Sequence, residues 1–280
     1  MITYLKIGTN GRLSNQMFQY ATLVSVAKAN SFDYVLPNSC IKKTYDAYFN
    51  PVTNRSELGC FELFDCFKIN CELIEDNELR KEIRYQYNEP SFLFDGAIFR
   101  INDHTNIHGY FQSWKYIVEH EYEIRKQFGF KDEILEKAKK YINSIKCGSL
   151  VSLHVRRGDY LTKQHFHPVC SNIYYATAIE KLKDKLKDIT ILVQSDDIEW
   201  CKNNFIGEEF IFSEKCSGFE DMARMTLCDH HIIANSSFSW WGAWLNSNPN
   251  KIIYAPSQWF GDNPACPDSK DLVPREWILL

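Results

Sequence analysis

The sequence predicts an α/β protein built on parallel sheets. Short β-rich apolar runs alternate with amphipathic segments of helical length, the pattern of strands joined by crossover helices. Polar clusters close three of the apolar runs. The 280 residues, 45% hydrophobic and 24% charged, are globular in composition and suit one large domain or two modest ones of roughly 100–200 residues each.

The elements follow in order. Residues 4–7 read as a first strand and Gly8-Thr-Asn-Gly11 as a turn. A helix over 15–29 has Phe18, Ala21 and Val24 at helical spacing, with Asn30 placed to close it. A second strand covers 34–36, ahead of Pro37. Residues 40–100 are irregular and rich in aromatics, 107–111 form a short strand or loop, and 131–146 a charged amphipathic helix. Beyond Cys147-Gly148 the alternation sharpens. A strand over 150–155 ends in Arg156-Arg157-Gly158-Asp159, and a helix covers 173–186. A strand over 189–193 ends in Ser195-Asp196-Asp197, followed by a helix, a strand over 210–212 and a helix over 219–228. A strand over 231–234 ends in Asn235-Ser236-Ser237, with a helix over 241–245 and a last strand over 251–254. Ligands of such sheets sit beyond the carboxyl ends of the strands. The clusters at 154–159, 194–197 and 235–239 therefore mark a candidate site.

Composition excludes several classes. A net charge of −4 supplies no basic field for general nucleic-acid binding. Residues 1–148 carry 19 basic and 19 acidic side chains, residues 149–280 carry 13 and 17. An anion bound by the second half must be held by local donors, and Arg156 and Arg157 are the obvious ones. The N-terminus lacks a basic segment followed by a long apolar run. The longest charge-free stretch, 232–250, is interrupted by Asn, Pro and Ser. The expectation is a cytoplasmic protein without a transmembrane segment, peripheral membrane contact remaining open. Its ten cysteines should then stay reduced. They include no Cys-x-x-Cys pair, and Cys60, Cys66 and Cys71 lack metal-ligand spacing.

Four motifs carry the chemistry. In His154-Val-Arg-Arg-Gly-Asp159, strand alternation puts His154 and Arg156 on one face. A strand-terminal Arg offers a bidentate fork to phosphate, and Gly158 permits the turn; the plainer reading is a surface Arg–Asp pair. In Asn235-Ser-Ser-Phe-Ser-Trp-Trp-Gly242, hydroxyls ahead of a helix suit an anion, or simply cap the helix. Asn10-Gly-Arg-Leu-Ser-Asn-Gln16 is neither a Walker loop nor Gly-x-Gly-x-x-Gly; Asn15 and Gln16 can meet a ligand, or Asn15 can be an N-cap. Ser195-Asp196-Asp197 offers carboxylates to a nucleobase or ribose, to a cation, or to the next helix.

Gly11-Arg-Leu-Ser-Asn-Gln-Met-Phe-Gln-Tyr-Ala21, His108-Gly-Tyr-Phe-Gln-Ser-Trp-Lys-Tyr116, His154-Val-Arg-Arg-Gly-Asp-Tyr160, Ser195-Asp-Asp-Ile-Glu-Trp200 and Asp229-His-His-Ile-Ile-Ala-Asn-Ser-Ser-Phe-Ser-Trp-Trp-Gly-Ala-Trp-Leu245 together resemble the α-1,2-fucosyltransferases of glycosyltransferase family 11, over nearly the whole chain. The resemblance implies a GT-B-like architecture, two Rossmann-like domains (1–147 on the acceptor side, 148–280 on the donor side) with the active site in the cleft between them. It implies inverting transfer of L-fucose from GDP-β-L-fucose to the 2-hydroxyl of a β-galactoside glycan, with no cofactor and no obligatory metal. Arg156 would contact the diphosphate, with Arg157 and Asp159 shaping that loop and Asp159 reaching toward the acceptor. His154, Ser236, Ser237, Phe238 and Ser239 would hold phosphate or fucose. Ser195, Asp196 and Asp221 would recognise guanosine, and Asn15 and Gln16 would reach the donor from the first domain. Ser14 stands where the family pattern has glycine, adding bulk where a ligand would approach the backbone. The general base is left open among Asp159, Asp103, Glu89 and His104. Two alternatives remain: a GDP-sugar transferase of the wider fucosyl clan with another linkage or a protein acceptor, and a silent GDP-sugar or glycan-binding protein. Of the 15% aromatic residues, Trp240, Trp241, Trp244 and Trp259 would support the donor site, and a Phe- and Tyr-rich stretch between 45 and 116 would form the acceptor wall.

Overall fold

The computed structural model describes every residue except 43–46, 51–54, 59–60 and 146–147. Two compact units emerge: Met1–Lys131 with Asp268–Leu272, and Asp132–Pro267 with Val273–Leu280. Position 147, the expected domain boundary, lies outside the described residues.

The first unit contains β1 (Ile2–Thr3), α1 (Leu13–Asn30), β2 (Tyr34–Pro37), α2 (Ser39–Lys42), β3 (Ala47–Asn50), β4 (Arg55–Leu58), α3 (Leu63–Cys66), β5 (Glu72–Ile74), α4 (Asp76–Glu82), β6 (Tyr85–Asn88), β7 (Thr105–His108) and α5 (Glu121–Gln127). Its parallel sheet has the order β5-β2-β1-β7-β6, and β3 and β4 pair separately as an antiparallel hairpin. α1 runs almost wholly buried, from Leu13 through Ala27, so it behaves as a core helix. The expected first strand at 4–7 is shifted to Ile2–Thr3. Beyond Thr3 the backbone turns because other partners take its polar groups: the Leu5 N–H donates to Asn106 Oδ1 (2.8 Å). The Tyr4 hydroxyl donates to the Gly109 carbonyl (2.6 Å) and accepts from the Gly109 N–H (3.1 Å).

The second unit contains α6 (Asp132–Ile145), β8 (Ser149–Val155), α7 (Asn172–Lys183), β9 (Ile189–Ser195), α8 (Ile198–Asn204), β10 (Phe210–Phe212), α9 (Gly218–Thr226), β11 (His230–Ile232), α10 (Ser237–Leu245), β12 (Ile253–Ala255) and β13 (Ile278–Leu279). All its strands are parallel, in the order β10-β9-β8-β11-β12-β13. β8 is buried on both faces, as central strands of covered parallel sheets are. Val151, Leu153 and Val155 pack with Tyr175, Ile179 and Leu182 of α7. Leu150 packs on the other face with Ile142 of α6, Leu192 and Cys228. Burying each Val or Leu contributes about 1.5–3 kcal/mol, which anchors the strand whose end carries Arg156. α10 begins four residues before the expected 241, because the Ser236 hydroxyl accepts from the Phe238 N–H (3.4 Å) and sets the N-cap there. β13 has no counterpart in the sequence reading.

Candidate active site

In the second unit the strand order turns back between β8 and β11. β9 and β10 lie on one side of that boundary, β12 and β13 on the other. Crossover helices diverge at such a point and leave a crevice at the carboxyl ends of the strands. The three polar clusters of the sequence follow β9, β8 and β11, which are neighbours in the sheet.

Arg156 follows the last residue of β8. Its Nη1 lies 2.8 Å from Asp196 Oδ2 and its Nη2 2.5 Å from Asp159 Oδ1. The guanidinium also sits 5.3 Å from the centre of the Tyr160 ring. It is thus held on three sides while its side chain stays 34% exposed, enough to meet a ligand. Arg157 turns the other way: its Nε donates to Asp197 (3.0 Å) and its guanidinium lies 4.0 Å over Trp200. The Arg157 N–H donates to Asp196 Oδ1 (2.9 Å). Both Asp196 oxygens therefore brace the arginine loop. A Cβ at residue 158 would lie 2.4 Å from Asp196 Oδ2, so only glycine lets that carboxylate reach Arg156. Burial pushes the Asp159 carboxyl up, but Arg156 and Lys163 outweigh it and hold it below the usual range.

His154 is buried on β8. Burial, with Arg156 adding to it, pushes its imidazole down to about 3, so it is neutral. Its Nδ1 has no hydrogen-bond partner in the structure, and its ring lies 5.7 Å from Phe238. From β11, Ser236 caps α10 and Ser237 opens its first turn. Ser239 is turned inward, its hydroxyl on the carbonyls of Ala234 (3.4 Å) and Ser236 (3.3 Å). The free N–H groups of a helix start favour an anion. A guanidinium from β8 and this helix start from β11 thus flank the turning point of the sheet.

Other expected residues fall into structural settings. The Ser195 hydroxyl accepts from the Asp197 N–H (2.9 Å), and Asp197 caps α8 through the Trp200 N–H (3.2 Å). Asp221, on α9, accepts from Gln194 Nε2 (2.9 Å) and Ser213 (3.1 Å), and burial raises its carboxyl. Beside it the buried Arg224 joins Ser213 and Glu220 and lies 3.7 Å over Tyr141. In the first unit, Asn15 Oδ1 accepts from Gln112 Nε2 (2.7 Å), tying the first turn of α1 to the loop after β7, and the loop that leads into α1 is held from the next residue. Gln16 is buried: its Nε2 donates to the Gly11 carbonyl (3.3 Å) and its Oε1 accepts from the Glu62 N–H (2.8 Å). Its amide holds that loop together.

Sequence reasoning missed Tyr160, which stacks on His167 at 4.8 Å and donates to the Asn235 carbonyl at 3.2 Å, and whose hydroxyl burial pushes up to about 12. It also missed Trp200 under Arg157. Both close segments that carry the family resemblance, but no spacing assigns them a role; only the fold brings them to the arginines. Trp240, Trp241, Trp244 and Trp259 are all core, with Trp240 against Trp241 (5.0 Å) and Trp277 (5.3 Å). Much of the proposed aromatic wall is core too, including Phe61, Phe67, Phe111 and Tyr116, while Tyr45 lies outside the described residues. Among the described residues no group of His, Cys, Asp or Glu is arranged to hold a metal ion, the eight described cysteines form no disulfide, and no helix is long and apolar enough to cross a membrane.

A guanidinium and a helix start at the strand ends of a parallel α/β unit suit an anionic ligand such as a phosphate. The chain belongs to glycosyl transferase family 11, whose model matches residues 2–280. It is 30% identical to the O-antigen biosynthesis glycosyltransferase WbnK of Escherichia coli, over 97% of this chain and 98% of that protein. It is 37% identical to an α-1,2-colitosyltransferase of Escherichia coli over 61% of each. It is 24% identical to galactoside α-(1,2)-fucosyltransferase 2 of Hylobates lar, over 92% of this chain and 73% of that one. Among solved structures, POFUT1 in complex with GDP-fucose superposes with a TM-score of 0.54 at 15% identity, covering 91% of this chain and 97% of that one. The fold is the expected GT-B-like one, two parallel α/β units.

Proposed function

We propose that this glycosyltransferase carries out inverting transfer of L-fucose from GDP-β-L-fucose to the 2-hydroxyl of a β-galactoside glycan, without a resident metal. The observation that carries the reading is Arg156, fixed between Asp159 and Asp196 at the end of β8, which pairs with β11, the strand that leads into α10. As the fucose–phosphate bond breaks, negative charge grows on the β-phosphate oxygen and positive charge on the sugar. Only interactions that strengthen with that charge speed the step. A guanidinium held in place before the reaction meets the phosphate's need without reorganising. Neutral His154 adds no charge, and α10 adds the partial positive charge of its first turn. The α-1,2 linkage is supported by two relatives whose names carry it.

A second donor is favoured by the 37% identity to the colitosyltransferase: nucleotide-activated colitose in place of GDP-fucose. The test is GDP titration calorimetry, then GDP release from each donor over a panel of β-galactosides, with the product linkage assigned by NMR. Turnover giving an α-1,2-fucoside is expected. An α-1,2-colitoside would move the donor, a different linkage would move the chain to the wider clan, and GDP binding without any turnover would make it a silent binder.

A further inference from the structure

We propose that Glu89 is the catalytic base, accepting the proton of the acceptor hydroxyl; this rests on the transferase reading above. The four carboxyl and imidazole candidates do not occupy equivalent places. Asp103 and His104 precede β7. Asp103 lies at the amino edge of the sheet, paired with the N-terminal ammonium, and His104 hydrogen-bonds the Glu82 carbonyl (3.0 Å). Ligands are met at the opposite edge. Asp159 is held by Arg156 and Lys163, which makes it a weak base. Glu89 follows β6, at the carboxyl edge, and its N–H donates to the carbonyl of His108, the last residue of β7.

The backbone around Glu89 is built to receive a carboxylate. Its Oε2 accepts from the N–H groups of Tyr110 (2.7 Å) and Phe111 (3.0 Å), and its Oε1 also from Phe111 (3.0 Å). Two N–H donors fill only part of the roughly four lone-pair sites of a carboxylate, leaving room for a hydroxyl. Phe111 holds φ at +54°, a conformation few residues other than glycine adopt and one that collects at functional sites. A Cβ at residue 109 would lie 2.4 Å from the Glu89 Cβ, so glycine is needed for the carboxylate to enter this turn. The next residue, Gln112, donates to Asn15. Burial pushes the Glu89 carboxyl up to about 7, against the two N–H groups that pull it down. Among the described residues the phenols of Tyr4, Tyr87 and Tyr116 feel its charge, each raised by burial and therefore neutral. A base poised near the working pH transfers protons most effectively.

In the step, a lone pair of the acceptor oxygen forms the bond to fucose C1. The C1–O bond to the β-phosphate breaks and its electron pair leaves with GDP. The hydroxyl proton passes to Glu89 and later to water.

The experiment compares wild type, Glu89→Gln and Glu89→Asp with GDP-fucose and an acceptor that the wild type glycosylates. Removing a general base is expected to lower kcat by about 10²–10⁴-fold, with KM for the donor and GDP affinity unchanged. The wild-type kcat should fall as pH drops through about 7, and that limb should vanish in Glu89→Gln. Glu89→Asp keeps a titrating group, so it should keep a limb, with a smaller loss of kcat. GDP titration and a melting curve report whether each variant folds; if Glu89→Gln does not, the aspartate variant carries the test, and an unmoved limb at full kcat refutes the assignment. Glu89→Gln within threefold of wild type, or with its acidic limb intact, overturns the role of Glu89 and leaves the transferase reading standing. A wild type that turns over no acceptor overturns both.

Discussion

Gly158→Ala isolates how Arg156 is held. The new Cβ would lie 2.4 Å from Asp196 Oδ2 and 3.1 Å from its Cγ. Non-bonded heavy atoms settle near 3.5 Å, so the oxygen must retreat by about 1 Å. That oxygen is the one 2.8 Å from Arg156 Nη1, and its partner oxygen holds the Arg157 N–H. The carboxylate ends a short, partly exposed side chain, so it can move without disturbing β8. The lost ion pair is worth about 0.2–1 kcal/mol, a shift in melting midpoint of only about 1–4 °C for a chain of this size. Catalysis is more sensitive, because a misplacement of about 1 Å in a positioning group can cost about 10²-fold in rate. GDP release with a saturating acceptor should therefore show kcat/KM down about 10²-fold, beside a nearly normal melt and far-ultraviolet circular dichroism. Activity within threefold of the parent would show that Asp196 does not position Arg156. A collapse of the melt would show that Gly158 serves the fold instead.

Three further outcomes are expected. Arg156→Ala should lower kcat by about 10²–10³-fold, read by the same assay, with the urea midpoint nearly unchanged because the side chain is one-third exposed. Trp240→Ala should destabilise the second unit by about 3–5 kcal/mol in urea titration, since the ring is fully buried among Trp241, Trp244 and Trp277. Glu89 keeps its proton up to about pH 7 when folded but only to about 4.5 when unfolded, so stability falls as pH rises across that window. Glu89→Gln should therefore gain on the parent by up to about 3 kcal/mol between pH 4.5 and pH 8, measured as the difference of two urea titrations at each pH.

The donor half was legible because its signals are local. Strand runs at 150–155 and 189–193 end in charged clusters, and a strand end fixes where a cluster lies once the sheet is parallel. The alternation gives a parallel sheet but not its strand order; the adjacency of β9, β8 and β11 comes from the structure. The first unit was harder to read. β1 has two residues and β5 three, too few for periodicity to register, and Tyr4 to Ile7 resemble a strand only until the side chains of Tyr4 and Asn106 claim the local hydrogen bonds. The roles of Gln16 and Asp196 were hidden for a related reason. Their partners, the backbone of Gly11 and Glu62 and the arginine loop, are set by tertiary contact, and a short polar motif reads the same whether it faces a ligand or its own chain.

Both sheets turn back beside their first strand: β2 and β5 flank β1 on one side and β7 and β6 on the other, while β9 and β10 flank β8 on one side and β11, β12 and β13 on the other. The same topology thus places two crevices at strand ends, and the residues put there differ in sign. The second unit supplies the guanidinium of Arg156 and the positive start of α10. Beside the turning point of the first unit lie the Glu89 carboxylate and the paired amides of Asn15 and Gln112. Inverting transfer needs positive charge at the leaving phosphate and an anionic acceptor for the hydroxyl proton, and a carboxylate paired with a guanidinium is a poor proton acceptor. Asp159 illustrates the cost: paired with Arg156, it is held below the usual carboxylate range. Glu89, which accepts from two backbone N–H groups, is instead raised by burial to about 7. Asp159 and Glu89 thus differ in proton affinity through the groups their own units place beside them, which a chain-wide charge of −4 neither reveals nor opposes.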